Sequence, residues 1–269
     1  MSHPTPAPRH AAAATSKIER SLRVLERALG VHTPTALGTA FNIEGAVLLH
    51  LVATRLPQYL PALEVFSIDT GRLPDETHAY AAHLADFYDK RIRLYSPPPE
   101  PVEEFVHTHG AQAFYRSVAL RRQCCALRKK APLARALAGK RGWIVGLRRE
   151  QSAERAGVCE QISDPELGVE KFAPLAAWTR REVEDFATAE QVPVHPLYAR
   201  GYLSIGCAPC TRAVSAGEAE RAGRWWWESP EAGKECGLHP ATPQAPLRFH
   251  PPSGPASGEV EHNPHEPND

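Results

Sequence analysis

No apolar run approaches the roughly 18 residues that a membrane-spanning helix needs. The best run, residues 46–49, ends at His50, and the Pro-rich start of the chain lacks the apolar region of a secretion signal. An excess of charge of one sign is also missing, because Lys plus Arg and Asp plus Glu both total 31. Net charge therefore points to neither nucleic acid nor an anionic membrane as a partner. These absences predict a soluble, cytoplasmic protein.

The two ends of the chain have few apolar residues that could form a core. Residues 1–15 are rich in Pro and Ala, and the chain from about Pro240 onward is rich in Pro, Gly, His and Glu. We therefore predict disorder in residues 1–15 and 241–269. A single domain over residues 16–227 and a mobile segment over residues 228–240 complete the predicted organisation.

Helical and extended patterns alternate between these ends. Ile18, Leu22, Leu25 and Leu29 recur at helical spacing, and Gly30 ends the pattern. An apolar stretch near Ala36 leads through a short loop into a helical run, and further strands are expected downstream. The expected segments are a helix at 45–55 and strands at 64–68, 92–95 and 143–147. This alternation predicts an α/β fold with a mostly parallel sheet and flanking helices, whose ligands bind beyond the carboxyl ends of the strands.

The six cysteines carry the most chemical information. In a reducing cytoplasm they are expected to be ligands, catalytic thiols or core residues rather than disulfides. Cys124 and Cys125 are adjacent, while Cys207 and Cys210 form a Cys-x-x-Cys pair. Two such pairs can build a four-thiolate site for zinc or for an iron–sulfur cluster, and adjacent cysteines suit the larger cluster better. Core thiols at 124 and 125 beside a redox pair or half a zinc site remain an alternative.

The other two cysteines differ in their surroundings. Cys159 has no cationic or catalytic neighbour, which is typical of a structural cysteine. Cys236 lies between Lys234 and His239, which favour a thiolate, and the glycines beside it permit mobility. Cys236 is therefore a candidate nucleophile, with an incidental surface cysteine as the alternative.

Four ordered motifs are similar to those of a known family. They read Arg-Arg-Gln-Cys-Cys-Ala-Leu-Arg-Lys at 121–129, Ser-Ile-Gly-Cys-Ala-Pro-Cys-Thr-Arg at 204–212, Arg-Ala-Gly-Arg-Trp-Trp-Trp at 221–227 and Lys-Glu-Cys-Gly-Leu-His at 234–239. Segments 69–73 and 148–152 extend the match. Together they resemble the assimilatory adenylyl-sulfate reductases, of the phosphoadenylyl-sulfate reductase family.

The resemblance implies an adenine-nucleotide alpha-hydrolase-like (ATP pyrophosphatase-like) fold with a mobile C-terminal segment. It implies the thioredoxin-dependent reduction of adenylyl sulfate to sulfite and AMP, in sulfate assimilation and cysteine biosynthesis. Thioredoxin or a glutaredoxin-like reductant would be the partner, and a homo-oligomer is left open. The residues implied are Cys236 as nucleophile; Lys129, Arg221, Arg224 and His239 for substrate; and Cys124, Cys125, Cys207 and Cys210 for one [4Fe-4S] cluster.

The chain departs from this family at its phosphate loop. The family usually has Ser-Phe-Gly, one residue, then Glu-Asp, whereas residues 40–45 read Ala-Phe-Asn-Ile-Glu-Gly. Ala40 lacks a hydroxyl that Thr39 could replace, and Asn42 in place of Gly is expected to restrict the approach of the backbone. Leu147 stands where the family often has a polar residue. We expect weaker affinity or a lower rate rather than a different fold.

Three other functions compete with this interpretation. Phosphoadenylyl-sulfate reduction would need a further pocket for a 3′-phosphate, and many enzymes of that kind lack the cluster cysteines. A non-catalytic adenylate-binding iron–sulfur or zinc protein would not need Cys236. An ATP-splitting ligase on the related fold ranks last, because its Gly-rich pyrophosphate loop is missing.

Overall fold

The computed structural model describes residues 8–229 together with Glu235 and Leu238, with side chains from Ser16 onward. Cys236, His239, both chain ends and most of the predicted mobile segment 228–240 lie outside the described residues. Among the described residues, no helix combines the length and the apolar character that crossing a membrane requires. The predicted domain boundaries stay a prediction.

Helices and strands alternate along the described chain. The elements are α1 (Pro8–Val31), β1 (Thr35–Gly38), α2 (Ile43–Arg55), β2 (Glu64–Ile68), α3 (Asp75–Phe87), β3 (Ile92–Tyr95), α4 (Pro99–His109), α5 (Val118–Cys125), α6 (Ala131–Leu137), β4 (Gly142–Val145), β5 (Gln161–Asp164), β6 (Val169–Phe172) and α7 (Arg180–Ala189). A π-helical turn, Ala126–Lys130, joins α5 to α6. Short 3₁₀ turns, among them Pro196–Arg200 and Ala208–Cys210, connect the later segments.

Six strands form one sheet in the order β3-β2-β1-β4-β6-β5. All neighbouring pairs are parallel except β5 with β6, which are antiparallel. The chain builds outward from β1 to β2 and β3, and then returns to place β4 on the other side of β1. The strand order therefore reverses between β1 and β4, which is where open α/β sheets bind their ligands.

The two faces of the sheet bury separate apolar cores, because successive residues of a strand point to opposite faces. Leu37 and Ile144 lie on the face covered by α1, α2, α3 and α7. Their sequence neighbours Ala36 and Trp143 lie on the opposite face, with Leu133 of α6. Both faces are thus covered by helices, as a largely parallel sheet requires.

The predicted fold class is confirmed, and the strands predicted at 64–68 and 92–95 have those bounds. The strand predicted at 143–147 ends at Val145 instead. The chain passes very close to α2 at Gly146, where an added Cβ would lie 2.8 Å from Cβ of Glu44. Helix α1 begins at Pro8, inside the segment predicted to be disordered, since the alanines there are strong helix formers.

Candidate active site

A cleft opens at the carboxyl ends of β1, β2 and β4, next to the point where the strand order reverses. It encloses about 1180 Å³ of empty space, part of which is open to solvent. Its walls are loops that follow these strands, the segment before Cys207, and four basic side chains. Those side chains are Lys129, Arg155, Arg221 and Arg224. We call this space the cleft.

The loop after β1 forms one wall of the cleft and is held in a strained shape. Phe41 has a φ of 60°, a left-handed conformation that is uncommon for a residue with a bulky side chain. The Phe41 N–H donates to Thr39 Oγ1 over 2.9 Å. Gly45 is required beside this turn, because a Cβ there would lie 2.2 Å from Thr39 Oγ1.

Asn42, which replaces a glycine of the family pattern, adopts an ordinary backbone conformation. Its φ of −74° is ordinary, and it stands at the N-terminus of α2. Its side-chain oxygen Oδ1 accepts a hydrogen bond from the Ile205 N–H over 3.1 Å. Asn42 therefore ties the loop to the segment that leads into Cys207, and the strain of the loop lies at Phe41.

A buried ionic group supports the loop from beneath. Arg148 is fully buried, and its Nε and Nη2 donate to Glu44 and Glu220 over 2.8 and 2.7 Å. Burial lowers the pKa of Arg148, but the two carboxylates outweigh this and raise it. Gln151 also donates to Glu44, over 3.0 Å. Arg148 is thus neutralised within the protein.

Arg224 has a different environment from Arg148. It is buried, and its Nε has no hydrogen-bond partner among the described residues. Its guanidinium lies against the backbone of Gly206, where an added Cβ would be 2.2 Å from Nη1. The same guanidinium carbon lies 4.9 Å from the ring centroid of Trp225. A buried N–H donor without an acceptor costs roughly 1–3 kcal/mol. This donor suits an anionic ligand in the cleft.

The four paired cysteines converge on one small cavity, which we call the cysteine cavity. Cys124 and Cys125 end α5, while Cys207 precedes the 3₁₀ turn Ala208–Cys210 and Cys210 ends it. All four are buried, in a cluster that includes Phe105, Phe114 and Trp225. The cavity is also lined by Arg72, Arg121, Arg128 and Lys129.

Local contacts fix the position of both cysteine pairs. Ser117 caps α5 by accepting from the Leu120 N–H over 3.2 Å. The Ala208 N–H donates to the Arg72 carbonyl over 2.7 Å, and the Thr70 hydroxyl lies 3.2 Å from the sulfur of Cys207.

The cysteine cavity disfavours free thiolates. Burial raises the pKa of Cys124, and Cys207 adds to this effect. Burial, together with Cys207 and Cys125, raises the pKa of Cys210 to about 12. Thiolates at these positions need compensating positive charge, which a metal centre supplies. Among the described residues, no group of three or more His, Cys, Asp or Glu side chains has an arrangement that could hold a single metal ion.

The cleft and the cysteine cavity are neighbours, since Lys129, Cys207 and Trp225 line both. The predicted substrate residues Lys129, Arg221 and Arg224 therefore meet in one place beside the predicted ligands. Cys236 and His239, also predicted for this site, lie outside the described residues. Arg155 was not predicted, although it follows the 148–152 motif by only three positions.

Comparisons with known proteins agree with this architecture. The family described as phosphoadenosine phosphosulfate reductase domain matches residues 34–213. The chain belongs to this family. Proteins named adenosine 5′-phosphosulfate reductase are among its relatives. The one from Allochromatium vinosum is 46% identical, covering 75% of this chain and 77% of the relative. The one from Burkholderia cepacia is 43% identical, covering 84% and 89%.

Solved structures show the same fold at lower sequence identity. Phosphoadenylyl-sulfate (PAPS) reductase from Candida auris, in a phosphate complex, superposes with a TM-score of 0.60 at 23% identity, covering 79% of this chain and all of that one. Yeast FAD synthetase in complex with FAD has a TM-score of 0.54 at 12% identity, covering 78% and 70%. The predicted adenine-nucleotide alpha-hydrolase-like fold is confirmed.

Membership of the phosphoadenosine phosphosulfate reductase family also confirms the resemblance found in the motifs. The matched region, residues 34–213, covers both cysteine pairs and Lys129 but ends before Arg221 and Arg224. The roles of individual residues therefore depend on the geometry described above.

Proposed function

We propose that this chain is an oxidoreductase that reduces adenylyl sulfate to sulfite and AMP, as the names of its curated relatives suggest. The observation that carries the proposal is the shared wall of Lys129, Cys207 and Trp225. It sets a basic cleft at the reversal of strand order directly beside a cavity lined by four cysteines. A nucleotide-binding protein without a metal centre would need only the cleft.

The cleft provides both kinds of surface that adenylyl sulfate needs. Leu73, Leu133 and Leu147 supply apolar lining suited to an adenine ring. Arg221, Arg224 and Lys129 supply positive charge for the phosphosulfate, whose negative charge shifts onto the phosphate as AMP departs. Leu147, a departure from the family pattern, thus adds to the apolar lining.

The cysteine cavity would hold one [4Fe-4S] cluster through Cys124, Cys125, Cys207 and Cys210. Two features of the chain support this assignment: the four thiols share one cavity, and Trp225 Nε1 beside them is buried without an acceptor among the described residues. Trp225 lines both the cysteine cavity and the cleft, so an acceptor bound in either space would satisfy that N–H. When bound, such a cluster would supply fixed charge beside the cleft rather than electrons to the substrate.

The sulfur chemistry would belong to Cys236. Its thiolate attacks the sulfur of the sulfate group; a sulfur–sulfur bond forms, the bond from that sulfur to the bridging oxygen breaks, and AMP leaves with the electron pair. Cys236 then carries an S-sulfonate. A thiolate of the reductant attacks Sγ of Cys236, and sulfite leaves with the electron pair of the broken bond. A second thiol of the reductant restores Cys236, so two thiols supply both electrons.

Thioredoxin, or a glutaredoxin-like protein, is the proposed source of these two thiols. Such dithiol proteins operate in the cytoplasm, where the product sulfite would enter cysteine biosynthesis. His239 would assist in binding the substrate, since it follows Cys236 by three positions.

Anaerobic purification tests the cofactor and the reaction together. We expect a brown protein with about four iron and four sulfide per chain, which forms sulfite from adenylyl sulfate and reduced thioredoxin. A colourless, zinc-loaded protein that forms no sulfite would contradict both claims.

Phosphoadenylyl sulfate is the second candidate substrate, because the matching family is described by that name. A competition assay with both nucleotides separates the two. We expect adenylyl sulfate to be preferred. A preference for the 3′-phosphorylated nucleotide of more than about tenfold, or 1.4 kcal/mol, would reverse the assignment.

A further inference from the structure

Glu235 places its carboxylate among the basic side chains of the cleft. Arg155 donates to it through Nε and Nη2, over 2.8 and 3.0 Å, and Nη2 of Arg221 lies 3.3 Å from it. The backbone carbonyl of Glu235 accepts from Nη1 of Arg121 over 2.7 Å. Both the side chain and the backbone at position 235 are therefore held by arginines.

The arginines that hold Glu235 are themselves held in place. Nη1 of Arg155 donates to Gln151 over 2.6 Å. Arg121 is fully buried and makes two hydrogen bonds to Glu228, over 2.9 and 2.8 Å. A two-point Arg–carboxylate contact between fixed groups specifies orientation as well as attraction.

Electrostatics keep Glu235 charged. Burial raises the pKa of its carboxyl, but the hydrogen bond from Arg155 and the charges of Arg221, Arg155 and Arg224 outweigh this and lower it. At neutral pH a carboxylate therefore occupies part of the positive wall.

Two roles are consistent with a carboxylate in this position. Glu235 could stand where an anionic group of the substrate binds, in which case it competes with the substrate. It could instead anchor the chain next to Cys236. The contacts favour the anchor for two reasons. The shorter bonds of the Glu235 carboxylate are to Arg155 rather than to Arg221. Arg121 also holds the backbone of Glu235, and a residue that only competes with an anionic substrate does not need such a backbone contact.

We propose that Glu235 is a positioning residue, which fixes the residue that precedes Cys236 through Arg155 and Arg121. This inference rests on the proposed function, since it assigns Cys236 the attack on the substrate. Consecutive Cα atoms are only about 3.8 Å apart. Holding residue 235 at two points thus limits where the sulfur of Cys236 can be, and an error of about 1 Å can lower a rate by up to a hundredfold.

The test is a single turnover without reductant, in which the S-sulfonate on Cys236 is followed by mass spectrometry at saturating adenylyl sulfate. We expect Glu235→Gln to slow its formation by at least about tenfold. AMP affinity should change by no more than about twofold, because an anchor that acts through Arg155 and Arg121 positions the chain rather than binding the nucleotide. Glu235→Asp, which retains the charge, should recover part of the rate.

Glu190→Gln is the matched control. Glu190 also pairs with an arginine, since Nη2 of Arg55 donates to both its oxygens over 3.0 and 3.1 Å, but Arg55 ends α2 at the far end from the cleft. This variant should form the S-sulfonate at the wild-type rate.

Two results would overturn the proposal. The first is an unchanged rate of S-sulfonate formation in Glu235→Gln. The second is tighter binding of AMP with an unchanged or faster rate, which would identify Glu235 as a competitor of the substrate. If the wild-type protein forms no S-sulfonate, the proposed function fails instead, so the two failures are distinguishable.

Discussion

The cysteine cavity and the cleft share Lys129, Cys207 and Trp225, yet they are built in different ways. The cysteine cavity takes its four thiols from two short motifs and is closed by buried aromatic residues. The cleft takes its walls from loops that are far apart in the sequence and is lined by charges. A substitution in the cysteine cavity should therefore abolish one property outright, whereas substitutions around the cleft should lower several properties by degrees.

Cys210→Ser should have the largest effect, because it removes one of four proposed ligands from a buried cavity. We expect iron content to fall to background and sulfite formation to be lost. Metal analysis after anaerobic purification measures the first and a sulfite assay the second. Cys159→Ser is the control, since Cys159 is exposed; equal iron loss in both variants would refute the ligand assignment.

Arg148→Met should destabilise the support of the cleft without touching the cysteine cavity. It leaves the buried Glu44 without its cation, which costs about 3–5 kcal/mol, whereas Glu220 keeps Arg180 at 3.6 Å. Denaturant unfolding measures the loss. Arg200→Met, which breaks an exposed pair with Glu76, should cost no more than about 1 kcal/mol. Equal losses would mean that burial does not distinguish the two arginines.

Arg224→Ala should separate binding from stability. We expect kcat/KM for adenylyl sulfate to fall about a hundredfold, as for the loss of one donor to a developing anion. Iron content should be unchanged, and Arg224→Lys should recover part of the activity because it keeps the charge but not the planar fork. An unaltered kcat/KM in Arg224→Ala would remove Arg224 from the site.

Asn42→Ala should have the smallest effect, about 1 kcal/mol in the free energy of unfolding, since it removes one hydrogen bond to Ile205. AMP should bind somewhat more weakly, because the loop after β1 loses its tie to the segment before Cys207. Asn42→Asp keeps the acceptor oxygen and should retain stability while its charge weakens AMP binding. If both variants match the wild type in stability, the contact has no energetic role.

Sequence patterns were sufficient wherever the determining contacts are local. Helical and extended periodicity located β2 and β3 correctly, and two short motifs identified four cysteines that share one cavity. The β5–β6 hairpin was not predicted, because the polar residues Gln161, Ser163 and Asp164 of β5 resemble a loop.

Long-range partners could not be predicted in the same way. Nothing near Arg155 indicates that its carboxylate partner is Glu235, 80 positions away, or that Asn42 reaches Ile205 across 163 positions. Residue type also failed to distinguish Arg148 from Arg224. The two arginines differ because folding brings carboxylates to Arg148, whereas Nε of Arg224 has no hydrogen-bond partner among the described residues. Arg155 and Glu235 therefore enter the site only through the fold.

The most direct test of the central claim follows the sulfur atom itself. The purified chain is incubated with adenylyl sulfate without any thiol reductant, and its intact mass and its peptides are measured. The account predicts release of one AMP per active chain and one sulfonate group on Cys236, with neither in Cys236→Ser. Sulfite formation by Cys236→Ser, or a sulfonate located on another residue, would contradict it.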